Sequence, residues 1–152
     1  MPAPARALTF WLPTLLWLLL LAWFSTDTFS AEHTGGILLR IIHAVYGPVS
    51  QPAFQEIHFY VRKSAHFLAY GMLSAFAFFS WRATLASAVR WSLRWSVLAL
   101  GLTLLAASLD EFHQSFVASR GSSWHDVALD MTGAFVFQIA IAAWLSVRKR
   151  RA

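Results

Sequence analysis

Four runs of mostly apolar residues, at about 8–24, 64–81, 95–112 and 127–147, dominate this sequence. A helix that crosses the hydrocarbon core of a bilayer needs about 20 such residues. Within that core only segments that satisfy their own backbone hydrogen bonds persist, which restricts the choice to helices and closed barrels. Of the 152 residues, 58% are hydrophobic and 12% charged, and the charged share is half the ~25% of an ordinary soluble domain. The runs therefore predict an all-α fold: a four-helix transmembrane bundle forming one domain over residues 1–152.

Orientation follows from where the cations fall. Arg82, Arg90 and Arg94 lie between the second and third runs, Arg148, Lys149, Arg150 and Arg151 follow the fourth, and Arg6 precedes the first. By the positive-inside rule these segments are cytoplasmic, so both termini are inside. The acids Asp27, Glu32, Glu56, Asp110, Glu111, Asp126 and Asp130 gather toward the opposite side, as do the histidines. The net charge of +5 thus reads as topology and attraction to an anionic inner leaflet, and no nucleic-acid partner is expected. Trp11, Trp23, Trp81, Trp91, Trp95, Trp124 and Trp144 fall near the ends of runs, at the headgroup level that Trp prefers. The first run follows Arg6 as a signal peptide would. Its Trp11, Trp17 and Trp23, and the lack of a small-x-small site after Phe24, favour an uncleaved anchor. The absence of cysteine rules out disulfides, thiolate zinc sites and a thiol nucleophile.

The loop from Ser25 to Tyr60 carries Ile37, Leu38, Ile41, Ile42 and Val45 at helical spacing, opposite Arg40 and His43. This predicts a short amphipathic helix in the first outer loop, either lying in the membrane interface or packed on the bundle. Gly47-Pro48 ends it, and Gln51-Pro52 begins the next helix.

Ionisable groups within membrane helices are costly and usually mark an interior or a watery cavity. Lys63, His66 and Tyr70 are spaced i, i+3, i+7 and share a helix face. Asp110 and Glu111 end the third run, with Gln114 one turn on; being adjacent, the two acids point about 100° apart and serve different neighbours. Asp126, Asp130 and Gly133 are spaced i, i+4, i+7, and Gly133 permits close helix approach. Arg120, in the loop between them, has the planar fork that suits a carboxylate or a phosphate. Two arrangements fit this cluster: an interhelical network in which the cations neutralise the acids, or a pocket open to the outer surface. In a pocket, His66 with Asp110 or Glu111 supplies the parts for acid–base chemistry. The histidines His66, His113 and His125 show no compact ligand pair, so no metal and no other cofactor is expected.

The segments Lys63-Ser-Ala-His66-Phe-Leu-Ala-Tyr70, Asp110-Glu111-Phe-His-Gln114 through Arg120, Asp126, and Asp130-Met-Thr-Gly133 resemble the VanZ-like family of small integral membrane proteins. The resemblance spans roughly residues 60–140. It implies a four-helix membrane protein of the cell envelope, in a family whose named member is associated with low-level resistance to teicoplanin. It marks Lys63, His66, Tyr70, Asp110, Glu111, Gln114, Arg120, Asp126, Asp130 and Gly133 as motif positions without assigning roles. Ser119-Arg120 with His125 and Asp130 is similar to the last motif of membrane phosphatidic acid phosphatases, but the spacings differ and the other two motifs of that family are missing.

The expectation is a multi-pass inner-membrane protein whose partners are membrane lipid and a lipid-linked or amphiphilic envelope ligand. Its ligand-binding set is Lys63, His66, Tyr70, Asp110, Glu111, Gln114, Arg120, Asp126 and Asp130. The alternative is an intramembrane enzyme acting on a lipid headgroup, with His66, Asp110 and Glu111 as catalytic candidates. A transporter is disfavoured, because no charged residue lies near mid-span. No sequence feature fixes an oligomeric state.

Overall fold

A computed structural model of the chain describes residues 3–26, 31–85, 91–117 and 123–150. Among these, five helices and no strands occur: α1 (Ala3–Phe24), α2 (Ala31–Tyr46), α3 (Gln51–Thr84), α4 (Leu93–Gln114) and α5 (Trp124–Arg150). The all-α class is as expected, and α2 is the amphipathic helix of the first long loop. Helices α3, α4 and α5 extend beyond their apolar runs at both ends, and α1 begins before its run and ends with it at Phe24.

The 34 residues of α3 span about 50 Å at 1.5 Å per residue, well beyond a ~30 Å hydrocarbon core. Its first three turns, from Gln51 to Arg62, precede the apolar run. The sequence sets this start. Gly47, at φ +82°, takes a backbone conformation that side chains with a Cβ resist, and its N–H closes α2 on His43 O at 3.1 Å. Ser50 is extended, and Pro52 fits the first turn of α3, where a missing N–H costs nothing.

Helix α3 is the hub. It packs most extensively on α5, then on α4 and α1, while α4 also packs on α5 and α2 touches α3 lightly. By length and apolar composition, α4 and α5 are able to cross a membrane. The apolar part of α1, Leu8–Phe24, is shorter. Helix α3 packs against α1, α4 and α5, and its buried polar residues include His58, Ser74 and Ser80.

The distribution of side chains suits a lipid solvent. Leu8, Leu19, Val97, Leu105, Phe135 and Ile139 are all more than half exposed, a surface that water would not tolerate on a monomer. Small and polar residues fill the interior instead: Ala77, Ala99, Ala107 and Ala134 are fully buried with Ser74, Ser80 and Thr103. Small residues let helix backbones approach where hydrophobic burial provides no drive. At Gly133 the approach is so close that a Cβ would run into the backbone carbonyl of Phe67. The close contact expected of Gly133 is therefore with α3.

Hydrogen bonds tie α1 to α3 along its length. Trp11 Nε1 donates to Thr84 Oγ1 (2.8 Å), Thr14 Oγ1 meets Ser80 Oγ (2.8 Å), Ser80 Oγ donates to Phe10 O (2.7 Å), and Trp17 Nε1 donates to Ala69 O (2.9 Å). On the other side of α3, Gln138 Nε2 of α5 donates to both Ser74 O and Ser74 Oγ. Polar bonds of this kind hold membrane helices together at ~1 kcal/mol each.

Candidate functional site

The polar residues singled out in the sequence converge at the end of the bundle where α3 leaves its apolar run, and they form two layers. The first lies between α3, α4 and α5. Lys63 Nζ pairs with Asp126 Oδ1. Glu111 Oε2 accepts the Ser123 N–H at 2.7 Å, which pins the start of α5 to the end of α4. Asp130 is fully buried, and its Oδ1 lies 3.4 Å from His66 Nδ1. Neither Asp130 oxygen has a hydrogen-bond partner among the described residues, and Glu111 Oε1 is likewise buried and unpartnered.

The second layer faces a cleft of about 450 Å³ between α1, α2 and α3. His58, Arg62, His66 and Tyr70 of α3 all line it. Spaced four apart, they form one stripe along the helix. The Tyr70 hydroxyl donates to Asp110 Oδ2 at 2.8 Å, and Gln114 Nε2 donates to the same oxygen at 3.0 Å. Tyr70 and Asp110 also line a second cleft, of about 310 Å³, between α1 and α4. The carboxyl end of α1 divides the two clefts and is tied to α4 by Ser25 Oγ and His113 Nδ1 at 3.0 Å. Apolar walls come from Trp17 and Leu21 of α1, Leu38 of α2, and Leu68 and Met72 of α3.

The predicted ligand-binding set is thus divided. His66, Tyr70 and Asp110 face the cleft. Lys63, Glu111, Gln114, Asp126 and Asp130 do not line either cleft; of these, Gln114 and Asp130 adjoin the cleft residues Asp110 and His66. The adjacent acids Asp110 and Glu111 serve different neighbours, as their helical spacing requires. Arg120 lies outside the described residues. Among the described residues no group of three or more His, Asp or Glu is placed to hold a metal ion.

Both sequence alternatives are therefore present side by side, and His66 joins them: its Nδ1 faces Asp130 while its ring borders the cleft. The ring stacks near Tyr70, with centroids 6.2 Å apart and planes at 19°. Chemically, the cleft offers apolar walls, a hydrogen-bonded acid at one end, an imidazole in the middle and a guanidinium at the other end.

Sequence reasoning missed His58, Arg62, Trp17, Ser25 and Thr34 as cleft residues. His58 is buried under α2, with Nε2 3.4 Å from Thr34 Oγ1 and its ring stacked on Phe54 at 5.7 Å. Its pKa is lowered from the ordinary histidine value, first by burial and then by the Arg62 charge. The four-residue spacing from His58 to Tyr70 is the signal that could have found two of these residues.

A family model described as VanZ/LLP1 matches residues 10–145. No curated protein and no solved structure matches the chain. The chain belongs to the VanZ/LLP1 family.

Proposed function

From that family membership we propose a multi-pass protein of the inner (plasma) membrane, with both termini cytoplasmic, that binds or modulates an amphiphilic ligand of the cell envelope. In this reading α1, α3, α4 and α5 are the four spans and α2 lies at the outer surface beside them. The cations Arg82 and Arg94 flank the α3–α4 turn and Arg148, Lys149 and Arg150 end α5, which supports this orientation under the positive-inside rule. The chain contains no cysteine, so single cysteines report topology cleanly. One at Phe116 reacts with an impermeant maleimide in intact cells, and one at Val147 reacts only after permeabilisation.

The observation that carries the functional reading is the cleft itself: apolar walls from three helices around His66, Tyr70 and Asp110. Binding sites combine apolar lining with a few placed polar groups in this way. Candidate ligands are an outer-leaflet lipid, a lipid-linked wall precursor or a glycopeptide-type antibiotic with an acyl chain. The test is to purify the protein in mild detergent and identify retained amphiphiles by mass spectrometry. Filling the cleft with Ala65→Trp abolishes retention, while Leu104→Trp on the exposed face of α4 leaves it intact. Equal retention by both variants rejects the cleft as the site.

A second reading rests on the His66–Asp130 pair. A buried acid behind an imidazole is the arrangement that orients a catalytic histidine, so His66 is the candidate general base for a headgroup reaction, with Asp110 the acid nearest the cleft. Glu111, turned toward Ser123, is the weakest of the three catalytic candidates. Purified protein incubated with labelled envelope lipids gives turnover that His66→Ala abolishes; absence of turnover across a broad lipid set rejects this reading.

A further inference from the structure

The cleft is electrically asymmetric, and its asymmetry specifies the ligand head. Arg62 and Tyr70 are eight residues apart on α3, about 12 Å along the axis. Asp110 sits at the Tyr70 end, where Tyr70 and Gln114 already donate to its Oδ2. The guanidinium of Arg62 sits at the other end, beside His58 and Thr34. Arg62 and Asp110 form no ion pair with each other.

The two neighbouring cations of α3 have different assignments. Lys63 is committed to Asp126 of α5. Arg62, one residue earlier and about 100° around the helix, faces the cleft and makes no ion pair among the described side chains. A half-buried guanidinium without a carboxylate partner, bordering an apolar cleft, is a receptor for an anion; its fork matches phosphate oxygens as well as carboxylate. His58, one turn before Arg62, lines the same cleft and adds a hydrogen-bonding edge.

Depth agrees with charge. Arg62 lies just before the apolar run of α3, which in the four-span reading is the border of the membrane, while Leu68 and Met72 line the cleft within that run.

We propose that the α1–α2–α3 cleft holds an amphiphile with an anionic, phosphate-type head, seated on Arg62 and His58, with its chain running between Trp17, Leu21 and Leu68. The proposal rests on the reading of the cleft as an amphiphile site and adds the sign and chemistry of the head. It places the head on Arg62, which was not in the predicted ligand-binding set, rather than on its neighbour Lys63, which is paired with Asp126.

The test uses the full chain in detergent and native mass spectrometry with four probes: dodecyl phosphate, dodecyltrimethylammonium, dodecanol and inorganic phosphate. Dodecyl phosphate binds most tightly, and inorganic phosphate alone binds weakly, because the chain contributes. Arg62→Gln weakens dodecyl phosphate about tenfold, the scale of one charge-assisted contact, while Arg62→Lys keeps most of the binding and dodecanol is unaffected by either. Both variants alter a partly buried side chain that makes no ion pair among the described residues, and their melting temperatures check folding.

Tighter binding of the cationic or neutral probe, or an Arg62→Gln variant that binds dodecyl phosphate like the parent, overturns the anionic head while leaving an amphiphile site in place. Binding of inorganic phosphate as tight as dodecyl phosphate assigns a free-anion site and overturns the chain's role. If no dodecyl probe binds in a manner blocked by Ala65→Trp, the amphiphile reading itself fails.

Discussion

Tyr70 of α3 donates its hydroxyl to Asp110 of α4 at 2.8 Å, and this bond is shared by the two clefts that flank the end of α1. A hydrogen bond between two helices thus also shapes the wall of both clefts. Tyr70 is 2% exposed, so its hydroxyl has no water to fall back on.

Tyr70→Phe therefore removes an interhelical bond and leaves Asp110 with Gln114 as its remaining described donor. Stability falls by about 1 kcal/mol, the usual worth of a polar contact between membrane helices. Retention of the cleft ligand falls by more than this loss explains, because the carboxylate is freed to move. Paired thermal melts and ligand retention measurements on parent and variant check both effects.

Gly133→Ala tests the α3–α5 contact. The new methyl group meets the Phe67 carbonyl, which is backbone and has no rotamer to give. A loss of about 1–3 kcal/mol is expected, the range for overpacking. Gly71→Ala meets only the ring of Phe137, which can turn aside, so it costs less. Melting temperatures that order the two variants the other way would show that the helices separate more easily than their packing implies.

The Lys63–Asp126 pair is partly exposed, at 30% and 22% of each side chain, so its worth is discounted to about 1 kcal/mol or less. Lys63→Met and Asp126→Leu each destabilise, but together they cost less than the sum, because neither leaves a lone charge behind. A double-mutant cycle by thermal unfolding measures that coupling.

The docking of α2 is expected to depend on pH through His58. Burial and Arg62 lower its pKa, so the folded state favours the neutral ring. As pH falls below the unfolded value of ~6.5, the unfolded chain takes up the proton first, and stability is lost. Above that value it is fully present. Amide exchange in α2, held to α3 by the Thr34–His58 contact, accelerates in acid, and His58→Gln removes most of the pH dependence.

Much of this was legible in the sequence, and the rest was hidden for definite reasons. The apolar runs located α1, α4, α5 and the second half of α3 as helices, because long apolar runs favour segments that bond their own backbone. The amphipathic spacing from Ile37 to Val45 located α2, and the Gly47-Pro48 and Gln51-Pro52 pairs set its end and the start of α3. The shared face of Lys63, His66 and Tyr70 was legible from helical geometry, but their partners were not. Pairing Lys63 with Asp126 and Tyr70 with Asp110 requires knowing which helices adjoin. Thr14 and Ser80 were invisible for a different reason: a lone hydroxyl in an apolar run reads as tolerated rather than as half of a bond. Arg62 was overshadowed by Lys63, and only the return of α2 against α3 makes it a cleft residue.

Photolabelling addresses the ligand cleft most directly. Cells expressing the protein are fed a lipid analogue with a diazirine in its acyl chain, irradiated, and the modified peptides are mapped. Labels concentrated at residues 17–25 and 61–72, and lost in Ala65→Trp, are the predicted outcome. Labels spread evenly over the exposed faces of α4 and α5, with no enrichment at the cleft, would mean that the cleft holds no amphiphile.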